Sequence, residues 1–187
     1  FETYKGVLAT LFSRGCSSFD LVELGAGDGT KTQILIAELL RRRVDFRYIP
    51  IDISEDAVLQ LAGAMKQRFP ALKLESRIGD YFPMIEHLSR EYPNRKVLMF
   101  LGSNLGNYGP DQAAWFLRLI RSALGPGDRL MIGLDLKKDP DVIRAAYNDA
   151  GGWTRAFNLN LLTRINRELG GDFDVDPAIF GANARHP

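Results

Sequence analysis

Cysteine is almost absent from this chain: Cys16 stands alone among 187 residues. One thiol excludes an intrachain disulfide and a cysteine-based zinc site, and it fits a reducing compartment such as the cytoplasm. Histidine is nearly as scarce. His87 falls in mid-helix and His186 in the C-terminal tail, so no histidine cluster offers a metal site and neither is placed as a base. Excess charge is missing too. The 24 Lys and Arg nearly balance the 23 Asp and Glu, which leaves no field to gather nucleic acid or a membrane surface. No run reaches the roughly 18 apolar residues of a membrane span. No secretory pattern is visible at the start, and Phe1 in place of methionine reads as a processed or excised piece. No repeat, linker or low-complexity tract appears. What remains is ordinary for a folded domain, 45% apolar and 25% charged. A chain of this length buries roughly two thirds of the surface that its unfolded form exposes.

Hydrophobic periodicity alternates between two kinds. Helical spacing covers 1–14, 30–43, 55–69, 82–92, 110–124, 139–149 and 154–169. Short apolar runs at 19–24, 46–52, 73–80, 96–102 and 129–136 read as strands, and 96–102 is the most apolar. The order predicts βαβ units and a mostly parallel α/β sheet with helices on both faces. In such a sheet a ligand lies outside the carboxyl ends of the strands. The unusual polar residues gather there: 25–29, Asp52, 79–80, 102–107 and 135–138.

The stretch LVELGAGDGTKT (21–32) joins the first strand to a helix through Gly25, Gly27 and Gly29. The spacing is G-x-G-x-G, not the G-x-G-x-x-G of dinucleotide enzymes. Glycine accepts positive φ and leaves no side chain in a ligand's way. The helix that follows offers free N–H groups to an anion. That anion is a pyrophosphate in a nicotinamide enzyme and lies near the amino-acid tail of the cofactor in an S-adenosylmethionine enzyme; a purely structural turn is the third reading. Lys31 opposes the helix dipole, which suggests pairing with a carboxylate, against a merely solvated lysine. Asp52, ending the second strand, suits a ribose diol. Its bland alternative is a turn or N-cap aspartate, although Ser54, followed by Glu55 and Asp56, makes the better cap. Asp80, after Gly79, either accepts an adenine amino group with Tyr81 flanking the ring or caps the next helix. Arg41–Arg43 complement a helix C-terminus rather than forming a nucleic-acid patch.

Seven segments together carry a resemblance: ELGAGDGTKT, IPIDIS, GDY, FLGSNLGNY, GLDLKKDP, AAYNDAGG and AFNLNLLTRINRELGGDFD. Over roughly Leu21 to Asp174 the chain is similar to the histidine-specific, S-adenosylmethionine-dependent methyltransferases of ergothioneine biosynthesis. The resemblance implies a Rossmann-like class I methyltransferase fold, S-adenosyl-L-methionine as cofactor and methylation of the α-amine of histidine to its trimethylated betaine. It places Gly25, Lys31, Asp52, Asp80 and Tyr81 on cofactor positions, beside Gly27 of the same turn. It places Gly102, Asn107 and Tyr147 on positions facing the amino acid. Asn107 offers both a donor and an acceptor for an amine and a carboxylate; its alternative is a capping residue before Pro110. Tyr147 either reaches over the sheet edge or packs as core.

Departures accompany the match. Relatives are longer at both ends, and their sheet has seven strands where this chain counts five. The expectation is a cofactor-binding core over 1–174 and an irregular tail over 175–187, with two strands and an imidazole-gripping acid beyond Pro187. A cofactor-holding module without turnover, and an N-methyltransferase for another amino-acid or indole amine, stay open as alternatives. The expected partner is a small amino acid, with no nucleic acid and no membrane. No catalytic base and no metal ligand are assigned, and the oligomeric state leaves no mark.

Overall fold

Apolar runs without polar alternation need cover on both faces, and the sheet supplies it. The computed structural model describes residues 1–102 and 104–175, with main chain only at Ser89 and Tyr147. The chain divides into two compact units, Phe1–Asp135 and Leu136–Pro187, each treated by itself below.

In the first unit β1 (Ser18–Leu24) lies at the centre, between β2 (Asp45–Asp52) and β5 (Lys96–Phe100). Short strands β3 (Lys73–Leu74) and β4 (Arg77–Ile78) both pair with β2, and β6 (Arg129–Ile132) pairs with β5. Every pairing is parallel. Successive side chains of a strand point to opposite faces. Phe19, Leu21, Phe46, Tyr48, Val97 and Met99 therefore meet one helix layer, α1 (Lys5–Ser13), α2 (Thr30–Arg41) and α3 (Glu55–Arg68). Val22, Leu24, Ile49, Ile51, Leu98 and Phe100 meet the other, α4 (Tyr81–Glu91) and α5 (Pro110–Ala123). This is the doubly covered parallel sheet that the alternating pattern predicts.

Local chemistry sets the boundaries. Ser54 caps α3, its Oγ accepting from Ala57 N at 3.3 Å, so the cap does not consume Asp52. Two arginines of the basic run are tied down: Arg41 and Arg42 both donate to Glu38, and Arg42 also donates to Thr10 Oγ1. The third predicted strand is broken in two, and Pro50 explains the break. Tyr48 and Asp52 turn their carbonyls toward β3 and β4, accepting from Glu75 N and Gly79 N. Pro50 shares that edge and has no N–H to donate. The last strand stops at Ile132 rather than 136. Gly133 N still donates to Phe100 O, but β5 ends there and the chain turns at Gly102, φ +80°. Leu134 and Leu136, beyond it, are 62% and 79% exposed.

The second unit holds α6 (Pro140–Tyr147) and α7 (Trp153–Leu169). Asp139 caps α6 by accepting from Asp141 N. Asp149 accepts from Trp153 N and Thr154 N at the start of α7, and these bonds pull its carboxyl down to about 2. The 175–187 tail, apart from Val175, lies outside the described residues. Among the described residues no helix is long and apolar enough to cross a membrane.

One ion pair fastens the edge of the sheet. Asp20 is 1% exposed and receives Arg47 Nε and Nη2 at 2.9 and 3.0 Å, while Arg47 Nη1 donates to Glu75. Arg47→Ala leaves Asp20 buried without its cation. Because Arg47 is itself 30% exposed, the expected loss is about 2–3 kcal/mol, below that of a fully buried pair. The midpoint of urea denaturation measures it.

Candidate functional site

The carboxyl ends of β1 and β5 open on a cleft of about 290 Å³. Its walls are Glu23, residues 25–32, Leu101, Gly102 and Asn104. The turn that forms one wall holds Gly25, Gly27 and Gly29 at φ +67°, +53° and +64°. These are left-handed conformations that other residues adopt only with strain. The three glycines do different work. A Cβ at Gly29 would stand 2.4 Å from Leu61 Cδ1, so this glycine lets α2 settle on α3. A Cβ at Gly27 would meet nothing within 4 Å, and one at Gly25 only Asn104 Nδ2 at 3.7 Å. At these two positions the missing side chain leaves main chain bare toward the cleft.

Asp52 stands at the margin of this turn. Its Oδ2 accepts from Gly27 N at 3.0 Å and its Oδ1 from Ser54 N at 3.1 Å. Each carboxylate oxygen keeps capacity for a further donor. Next comes the first turn of α2, whose N–H groups no helical carbonyl can accept. Asp28 Oδ1 takes that of Thr30, and this bond holds its carboxyl below the usual range. Lys31 is exposed at the mouth.

The floor is a buried carboxylate that the residue-by-residue reading of the sequence missed. Glu23 is 4% exposed. Its Oε1 accepts from Thr32 Oγ1 at 2.7 Å and its Oε2 from the Tyr48 hydroxyl at 2.5 Å. Burial pushes its pKa up from 4.5 to about 7, against the pull of those two hydroxyls. Burial and the neighbouring carboxylate raise that of Tyr48 as well. The signal was present in LVEL, a lone acid inside an apolar strand. Asn104 was missed too. Its Nδ2 donates to Leu101 O at 3.1 Å and brings the side chain beside Gly25.

Asp80, Tyr81 and Asn107 lie off these walls. Asp80 caps α4, with Oδ1 accepting from Phe82 N at 2.9 Å. Tyr81 turns its ring onto Phe100 and Phe116, with centroids 5.8 and 5.9 Å away. Its hydroxyl meets that of Tyr108 at 2.5 Å, and burial raises its pKa. Asn107 is exposed at the end of a 3-10 turn, Asn104–Asn107. The side chain of Tyr147 lies outside the described residues. His87 is exposed on α4 and lines a separate hollow with Arg77 and Glu91, while His186 falls among the undescribed residues. Among the described residues no group of three or more His, Cys, Asp or Glu is arranged to hold a metal ion.

The profile of the family described as "Histidine-specific methyltransferase, SAM-dependent" matches residues 1–185. The chain belongs to this family. Among curated relatives, the histidine N-alpha-methyltransferase of Mycolicibacterium smegmatis is 40% identical over 162 residues, 83% of this chain and 48% of that protein. The histidine N-alpha-methyltransferase of Mycobacterium tuberculosis is 39% identical over 163 residues, 86% of this chain and 50% of that protein. This histidine-specific methyltransferase family member thus spans about half the length of the curated relatives it matches. Among solved structures, the citrinin polyketide synthase CMeT domain aligns with a TM-score of 0.50 at 17% identity, covering 73% of this chain and 34% of that one. The fold of this family member is the Rossmann-like methyltransferase fold.

Glu23 gives the site a pH signature. A carboxyl whose folded pKa lies above its unfolded value binds its proton more tightly when folded. Its contribution to stability is complete below about pH 4.5 and is lost as pH rises through about 7. Urea denaturation should show the wild-type free energy falling across that window by on the order of 2–3 kcal/mol. Glu23→Gln should flatten this part of the profile.

Proposed function

We propose that this chain holds S-adenosylmethionine and serves an N-methyltransferase acting on the α-amine of a small amino acid, L-histidine. The observation that carries the proposal is the bare main chain at Gly25 and Gly27 beside the Asp52 carboxylate. It is joined by 40% identity to a histidine N-alpha-methyltransferase. The donor set suits such a cofactor. Asp52 retains acceptor capacity for a ribose diol. Lys31 and the first turn of α2 attract a carboxylate. Glu23, once ionised, attracts an ammonium group. The second oxygen of Asp80 takes no part in the cap bond and is assigned to an adenine amino group, with Tyr81 supporting that side. On the amino-acid side stand Gly102 and Asn107, with Tyr147 added on its sequence motif alone.

When bound, S-adenosylmethionine supplies a methyl group on a sulfonium, open to in-line displacement by a neutral amine. The protein's part is positioning. Holding two reactants at roughly 3–3.5 Å in line replaces a chance encounter. An α-amine is mostly protonated near neutrality and must lose its proton first. No described histidine lies on the cleft walls, and we assign that proton to solvent. The single cysteine fits a cytoplasmic setting.

Isothermal titration of the full-length protein with S-adenosylhomocysteine tests the cofactor assignment. Asp52→Ala should weaken binding roughly 10–100-fold, the worth of hydrogen bonds to a charged group. The absence of heat with either form of the cofactor would sink the proposal. Mass spectrometry of reactions with histidine, tryptophan and other amino acids then identifies the acceptor. Tight binding without any methylated product would favour a cofactor-holding module instead.

A further inference from the structure

Two tyrosines from different strand tips meet on the face covered by α4 and α5. Tyr81 follows β4 and opens α4, and Tyr108 follows the 3-10 turn after β5. Their hydroxyl oxygens are 2.5 Å apart, across 27 residues of chain. We infer that this hydroxyl pair is a latch that fixes the 3-10 turn to the start of α4 and so positions Asn107 for the amino-acid substrate. The inference rests on the proposed function for its consequence and on geometry alone for the latch.

The turn is short and needs anchoring at both ends. At its start, Asn104 Nδ2 donates to Leu101 O, a bond within its own strand tip. At its end, Tyr108 N donates to Leu105 O, closing the turn upon itself. Neither contact ties the turn to another element. The hydroxyl pair does. The rings share one apolar dock: Tyr108 packs on Phe82 and Phe116, and Tyr81 packs on Phe82, Phe100 and Phe116. Ring packing holds each side chain down but tolerates sliding. A hydrogen bond between hydroxyls sets the register, because its strength falls steeply with distance and angle. Tyr81 also sits directly after Asp80, so the latch joins the segment assigned to adenine to the turn assigned to the amino acid. In the latch the Tyr81 and Tyr108 hydroxyls act on the path of the turn and so on Asn107, and there both are positioning groups.

Phenylalanine at either position keeps the ring and removes only the hydroxyl. The test uses the full-length protein with Tyr81→Phe, Tyr108→Phe and the double variant. Amide exchange at residues 104–108 without ligand should quicken in both single variants. The double variant should be no faster than the singles, since one bond is lost in every case. In methylation assays each single should raise the histidine KM roughly three- to tenfold, the equivalent of one hydrogen bond, with kcat held. The double should again match the singles. Unchanged exchange at 104–108, or effects that add in the double variant, overturns the latch. Faster exchange with an unchanged KM overturns the positioning role. If the wild type methylates no amino acid, the proposed function and the positioning role fall together, and exchange still decides the latch.

Discussion

Strand β1 is the constraint on which the site depends. It is flanked by β2 and β5, covered on both faces, and has no freedom to shift. Its chain must nevertheless leave the sheet and enter α2 within five residues. Gly25 N and Ala26 N both reach Ile51 O, so the turn begins before the ladder has ended. Only a succession of positive φ values completes so sharp a reversal. The same reversal lays the side-chain-free main chain of Gly25 and Gly27 along the rim of the sheet. Fold and cleft wall are one feature here.

The two faces of the sheet contribute unlike material to that rim. The face under α2 carries a polar cluster in which Thr32 and Tyr48 both donate to Glu23, at the floor of the cleft. The face under α4 and α5 carries an aromatic one, centred on Phe116 with Phe82, Phe100, Tyr81 and Tyr108 around it. A charge that can be neutralised lies on one side and a stiff hydrocarbon wall on the other. A molecule with an amino-acid end and a flat aromatic end matches that division.

Much of this was legible in residue types. Alternating periodicities specified the parallel sheet, and the glycine spacing marked the turn. Ser54 was readable as the α3 cap, because hydroxyl and acidic residues favour the start of a helix. Other features depend on neighbours that periodicity does not reveal. Pro50 reads as one more strand residue until the side of its missing N–H is known. Glu23 reads as a strand acid until Thr32 and Tyr48 arrive from two other elements. Asn104 and Asn107 are alike in sequence, and only the path of the turn puts Asn104 in the cleft wall. Of the two readings of Asp80, the structure shows the cap, with one oxygen accepting from Phe82 N at the start of α4.

Asp52 has an implication of its own. Its two oxygens are already restrained by Gly27 N and Ser54 N, one on each side. The side chain therefore arrives with its rotamer selected, and a sugar docked there, as proposed, would freeze nothing further. Ordering an unrestrained side chain at a binding surface costs about 0.5–1.5 kcal/mol. Here that entropy is surrendered during folding, so under the proposed assignment recognition of a sugar would start from a rigid template.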